Sequence, residues 1–233
     1  MKVAIMQPYF LAYIGYYQLI NSVDKFVIYD NIEYTKKGWF NKNRILLNGK
    51  DKLFTIPLKS ASDYLPVNER FVSENFSKQR HKIIQWIKIS YKKASFYEEN
   101  IQFIESLFNQ ENDNLFDFIY FSVNQICDLL KIETKIIRSS ELEINHSLKS
   151  KNKVLAICKF LNADIYVNAI GGKELYSKEI FMKNNISLNF IRTRKIEYKQ
   201  FSNEFIPWLS IIDVLMFNGV KKTKCLINEF DIE

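Results

Sequence analysis

Glycine, proline, histidine and cysteine are all scarce in this sequence, and each shortage closes off a class of protein. Six glycines and four prolines in 233 residues, with no Ser/Gly- or Pro-rich tract, leave no composition for a disordered linker or a sharp domain boundary. Three cysteines, Cys127, Cys158 and Cys225, are odd in number and widely spaced, which argues against a disulfide framework and a CxxC metal site and for a reducing compartment. The two histidines, His81 and His146, stand in no metal-ligand spacing, so neither a metal nor a Ser-His-Asp triad is expected. The most apolar late stretch, residues 205–217, is too short to span a bilayer and contains Asp213. The polar and aromatic residues after MKVAIM do not make a signal-peptide core. These readings together predict a cytoplasmic protein with no membrane insertion.

What is present is a 47% hydrophobic composition and a net charge of +7, enough apolar material for one generous core and a basic balance suited to an anionic ligand. A solvated basic surface explains the charge equally simply. Among anions, a nucleotide or nucleotide-sugar is favoured over a nucleic acid.

Short apolar runs at Val3–Met6 and Lys25–Asp30 read as buried parallel strands, with a helical face between them, giving a β-α-β unit. Residues 46–58 read as a hairpin because Asn48-Gly49 supplies the positive φ angles of a tight turn. Residues 76–94, 96–108 and 114–130 carry apolar residues at helical spacing. Thr134–Ser139, Asp164–Asn168 and Ile186–Ile191 are three further strands, separated by a helix at 151–161 capped by Ser150, a Gly171-Gly172 turn and a helix at 173–184. The economical assembly is a single α/β domain over 1–233. It has a doubly wound, mainly parallel five-stranded sheet, and a hairpin and helical insertion at about 44–130. Its ligand site belongs outside the carboxyl ends of the strands.

Three segments carry candidate chemistry. Gln7-Pro8-Tyr9-Phe10 follows the first strand and Tyr13-Ile14-Gly15-Tyr16 opens the helix. This is similar to the strand, loop and HxGH helix start of nucleotidylyltransferases and pantothenate-synthetase-like ligases, with Tyr13 and Tyr16 in place of both histidines. Gly15 would admit a ligand to the backbone, and the tyrosine hydroxyls would donate hydrogen bonds to phosphate. An aromatic-rich core helix is the alternative, since Tyr16 and Tyr17 are not expected to face the core together. The second segment, Asp30 to Arg44, holds Tyr34 and Trp39 as faces for a sugar or base, Lys37 and Arg44 as phosphate contacts, Asn41 as an orienting amide and Asp30 as a base or ribose anchor. In the other reading Trp39 only covers the hairpin. The third is the set of later strand ends, with Ser139, Ser140, Asn168, Gly171, Gly172 and Tyr176 directed at the same cleft. Asp213 and Asn218, on an apolar C-terminal helix, read as a polar edge or C-cap, or else as substrate contacts.

Gln7-Pro-Tyr-Phe with Tyr13-Ile-Gly-Tyr-Tyr-Gln-Leu-Ile, Phe26-Val-Ile-Tyr-Asp30, Trp39-Phe-Asn-Lys-Asn-Arg44, Ile170-Gly-Gly-Lys-Glu-Leu-Tyr176 and Leu209-Ser-Ile-Ile-Asp-Val-Leu-Met-Phe-Asn-Gly219 resemble the WbqC-like family over nearly the whole chain. The resemblance implies a link to bacterial O-antigen or other surface-polysaccharide clusters, and transfer of glycine or another acyl group to the amine of a nucleotide-linked amino sugar. Tyr13, Tyr16 and Asp30 are then the candidate catalytic residues. Activation of the acyl group would come from ATP with Mg, or from a preactivated carrier, charged tRNA being the one nucleic acid in view. A nucleotidylyltransferase and a non-catalytic nucleotide-sugar binder are the competing readings.

Overall fold

The five apolar runs become five parallel strands, and a sixth strand that the pattern does not announce joins them. A computed structural model describes residues 1–201 and 204–233. The chain passes through β1 (Lys2–Met6), α1 (Ile14–Asn21), β2 (Lys25–Ile28) and the hairpin strands β3 (Lys42–Leu47) and β4 (Lys50–Thr55). Helices α2 (Phe76–Tyr91), α3 (Tyr97–Phe108) and α4 (Leu115–Leu130) follow. The α/β pattern then resumes with β5 (Lys135–Arg138), α5 (Ser150–Phe160), β6 (Ile165–Ala169), α6 (Lys178–Met182) and β7 (Ser187–Thr193). Helix α7 (Ile211–Leu226) and β8 (Phe230–Ile232) complete it.

The main sheet has the order β5-β2-β1-β6-β7-β8, while β3 and β4 form a separate two-stranded sheet. All neighbours in the main sheet are parallel except β8, which runs antiparallel to β7. From β1 the connections move one way through β2 to β5, and from β6 the other way to β7. The crevice at the carboxyl ends of β1 and β6 is therefore the topological switch point, where α/β sheets bind ligands. Apolar side chains cover both faces. One cluster gathers Val3, Val27, Val154, Ile157, Tyr166 and Phe190. The other runs from Ala4 and Phe26 through Phe54 to Ile83, Ile104 and Phe118, so the hairpin and the three middle helices share it with the sheet.

Several local expectations change. The hairpin spans Lys42 to Thr55 rather than 46–58, with Asn48 at φ 52° and Gly49 at φ 72°. Arg44 is consequently a strand residue paired with Leu53, not a loop residue. The helix expected over 173–184 shrinks to a 3-10 stretch, Ile170–Leu175, and the five-residue α6. Leu175 and Met182 are 70% and 72% exposed, so the segment has no continuous apolar stripe to bury. Ser150 does not cap α5. It is the helix's first residue, at a left-handed φ of 47°, and Lys149 before it makes no side-chain cap. Asn114, by contrast, caps α4 by accepting from Phe116 N at 2.9 Å and Asp117 N at 3.2 Å. Tyr16 and Tyr17 are both buried, because α1 packs against β6 and β7 on one side and α7 on the other.

Asp213 and Asn218 are no polar edge. Both are buried, and Asn218 spends its amide on Val214 O at 3.1 Å. The Asp213 carboxylate accepts from the Tyr91 hydroxyl at 2.9 Å, the Tyr198 hydroxyl at 2.6 Å and Gln200 Nε2 at 2.7 Å. Tyr91 also accepts the Leu46 N–H at 2.9 Å, which ties α7, α2 and the hairpin through one carboxylate. Burial pushes its pKa up to about 6 despite those three donors.

Helix α7 is broken at Gly219, at φ 67° and ψ 174°, conformational space open to glycine alone. A Cβ there would sit 2.5 Å from the Phe96 ring. Gly219→Ala should lower the unfolding free energy by about 2 kcal/mol. Urea denaturation checks this. A variant as stable as the parent would mean that the break relaxes freely.

Candidate functional site

A cleft of about 790 Å³ opens at the switch point. It is walled by the loop after β1, the start of α1, the loop after β2, the segment 146–150 with the first turns of α5, and the loop after β6. Of the residues singled out from sequence, Gln7, Pro8, Tyr13, Gly15, Tyr16, Trp39, Asn168, Gly171, Gly172 and Tyr176 line it together.

Its walls are chiefly aromatic. Tyr9 lies 6.0 Å from Trp39 and 6.5 Å from Tyr13, between ring centroids. Lys42 and Arg44 each hold their cation 5.6 Å from the Trp39 ring. Trp39 is 42% exposed, leaving an apolar face free beside two charges. Tyr16 is different: its hydroxyl donates to Gln7 O at 3.1 Å and its ring packs against Phe26. Burial raises the pKa of both Tyr13 and Tyr16, so each presents a neutral phenol. Gly15 does not leave an open approach to the backbone. A Cβ there would fall 2.3 Å from the Tyr13 ring and 2.9 Å from Thr193 Oγ1, so the glycine makes room for Tyr13 itself. Gly172 likewise accommodates the Asn168 amide, 2.4 Å from its would-be Cβ, whereas nothing lies within 4 Å of one on Gly171.

Tyr34, Lys37, Asn41 and Arg44 do not line this cleft, and neither do Asp30, Ser139 and Ser140. Tyr34 is buried, with Phe40 at 5.5 Å and the Arg70 guanidinium at 4.5 Å from its ring, and its hydroxyl donates to Asn41 Oδ1 at 3.1 Å. Asn41 turns inward and donates to Ile56 O at 2.7 Å, fastening the loop to the hairpin. Arg44 pairs with Asp51 at 3.1 Å and donates to Trp208 O at 3.3 Å, while Lys37 is exposed. Asp30 is buried and outside the cleft lining. It accepts from Ser139 Oγ at 2.7 Å, Ser140 N at 2.8 Å, Ser140 Oγ and Asn68 Nδ2 at 3.2 Å. Burial pushes its pKa up, but the bonds from Ser140 and Ser139 outweigh that and hold it below the usual carboxylate value.

Tyr29, Asn31, His146 and Lys153 line the cleft without having been singled out as site residues. His146 Nε2 lies 3.0 Å from Leu142 O, so that nitrogen carries the proton, and Nδ1 accepts from Asn31 Nδ2 at 2.9 Å. The Asn31 amide is thereby oriented with Oδ1 toward Lys153 Nζ, 3.1 Å away. A second cavity of about 440 Å³ lies on the far side of Tyr13, bounded by Thr193, Tyr198, Pro207 and Trp208. Tyr13 is common to both, with its ring 5.7 Å from Trp208.

The chain is thus an open, mainly parallel α/β protein with an aromatic-walled cleft at its switch point. The WbqC-like protein family matches residues 7–225, and the chain belongs to that family. It is similar to the uncharacterized protein Rv1507c of Mycobacterium tuberculosis (strain ATCC 25618 / H37Rv), with 28% identity over 226 residues covering 94% of this chain and 95% of that protein. No solved structure matches the chain significantly. Among the described residues, no helix is long and apolar enough to cross a membrane. Family membership points to a function associated with surface-polysaccharide clusters.

Proposed function

We propose that the cleft binds a nucleotide-linked amino sugar and that the protein transfers glycine or a related acyl group to its amine. The observation that carries this reading is the partly exposed Trp39 face at the strand switch point, with Tyr9 beside it and Tyr13 beyond Tyr9. Aromatic faces of this kind stack on sugars and bases. In the reaction the neutral amine attacks the activated carboxyl carbon. The new C–N bond forms, the bond to the activating group breaks, and the amine loses a proton. Charge develops on the carbonyl oxygen and needs a donor. The Tyr13 hydroxyl fits that need, since no protein acceptor occupies it among the described residues, whereas the Tyr16 hydroxyl is engaged by Gln7 O. Asp30, already bonded to four donors, supports the loop that carries Asn31 rather than meeting substrate.

The test is incubation with ATP, Mg, glycine and a nucleotide-linked amino sugar, followed by mass spectrometry. An amide product with release of AMP supports the reading. A new sugar nucleotide with pyrophosphate would establish the nucleotidylyltransferase alternative instead, and binding without turnover the non-catalytic one. Supply of the glycyl group on charged tRNA covers activation by a carrier. Trp39→Ala should weaken nucleotide-sugar binding about tenfold at any salt concentration. Lys37→Ala, at an exposed residue outside the cleft lining, should leave it unchanged at low and high salt. Calorimetric titration of both variants measures this, and equal affinities for the Trp39 variant and the parent would remove the stacking role.

A further inference from the structure

Lys153 combines burial, charge and position in a way that no other cation of the cleft does. It is only 3% exposed, lies in the second turn of α5 and lines the cleft. Its ammonium stands 4.6 Å from the Tyr29 ring centre and 3.1 Å from Asn31 Oδ1. Among the described residues it has no carboxylate within salt-bridge distance. Asp30 is the charge that acts on it, yet that carboxylate is occupied by four other donors. A buried ammonium held by one amide and one ring face is under-compensated. Burial accordingly lowers its pKa, with Asp30 opposing that shift.

Two further observations give the missing charge a place. The start of α5 lines the same cleft, has no side-chain cap and has no acidic residue in its first turn, so its N–H groups and dipole add to the positive potential. The His146–Asn31 chain also holds the ammonium in one position. Asn31 Oδ1 can only accept, and takes Lys153 Nζ together with Ser139 Oγ at 2.7 Å, while its Nδ2 donates one N–H to His146.

We propose that Lys153, oriented by Asn31 and His146, receives the diphosphate of the nucleotide-linked sugar, while the aromatic wall around Trp39 receives its sugar or base. This rests on the reading of the cleft as a nucleotide-sugar site, and it assigns the anion to Lys153 and the start of α5 instead of to Lys37 and Arg44. Because α5 and Trp39 stand on different walls of the cleft, the two contacts are separable by mutation.

The experiment is calorimetric titration of the intact protein with UDP, TDP, GDP and ADP, with the corresponding nucleosides, and with nucleotide-linked amino sugars. The parent should bind one diphosphate more tightly than its nucleoside. Lys153→Met should lose about tenfold to a hundredfold of that diphosphate affinity while binding the nucleoside like the parent. Lys153→Gln keeps an N–H donor for Asn31 and most of the side-chain volume. It should fold like the parent and lose the same affinity, which separates charge from packing. Folded Lys153 variants that bind the diphosphate as tightly as the parent would overturn the assignment and leave the nucleotide-sugar reading standing. A parent that binds no diphosphate, nucleoside or nucleotide-sugar would overturn both.

Discussion

Replacing Asp30 with alanine should lower the unfolding free energy by about 4 kcal/mol, because a buried acceptor of four hydrogen bonds is removed and its donors are left unpaired. Those donors are Ser139 Oγ, Ser140 N, Ser140 Oγ and Asn68 Nδ2, and they join the end of β2 to the turn after β5 and to residue 68. Asp30→Asn keeps the shape but turns an amide toward donors, so its loss should be smaller. The pH dependence has a definite sign. The folded pKa lies below the ordinary value, so the carboxylate's contribution is complete above the unfolded pKa of about 4 and is lost as pH falls through the folded one. Urea denaturation at neutral and acid pH should therefore show the gap between parent and Asp30→Ala narrowing in acid. An Asp30→Ala protein of unchanged stability with lost activity would instead make Asp30 a reacting group.

Asp213 should act in the opposite direction, and with nearly the same size. Its pKa rises from 3.8 to about 6 on folding, a difference of about 2 units, or about 3 kcal/mol at 1.36 kcal/mol per unit. The native state holds a proton that the unfolded chain has released. Its stabilisation is complete below the unfolded value and is lost as pH rises through about 6. Asp213→Asn cannot ionise, so its stability should be close to that of the parent near pH 4 and exceed it above pH 7. Unfolding curves across that range test the claim, and a constant difference at all pH values would mean that the carboxylate does not titrate there. Because Asp213 joins α7 to Tyr91 and the hairpin, the alkaline loss should appear as a global change, not a local one.

The parallel strands were legible because each is a short apolar run, buried along β1, β2, β6 and β7 and half-buried in the edge strand β5. The Asn48-Gly49 turn was legible because its chemistry is local. Strand β8 was not. It has three residues, two of them exposed, and its pairing rests on β7 and on the Arg194–Asp231 contact far away in sequence. The stretch Asp30 to Arg44 mixes two roles in the same residue types. Trp39 faces the cleft, while Tyr34 and Asn41 face inward to Phe40, Arg70 and Ile56. Composition cannot separate an aromatic that binds from one that packs, since only the direction of the side chain distinguishes them. Lys153 was hidden for the same reason. It is one of four lysines between 149 and 159, and burial alone sets it apart.

The loop that walls the cleft after β1 has a consequence for the order of assembly. Its carbonyls at Phe10 and Leu11 are held by the Asn43 amide, and Leu11 and Ala12 receive bonds from Ser210 Oγ and Ile211 N. Leu11 itself sits at φ 46°. The latter contacts close a span of 199 residues in the case of Ser210. Contacts of such separation form late, after the entropy of closing the intervening chain has been overcome. A chain emerging during synthesis can therefore complete β1, β2 and the hairpin while this wall still lacks half of its anchors. The cleft takes its final shape only when α7 docks, so the last helix to be made finishes the site that the first strand begins.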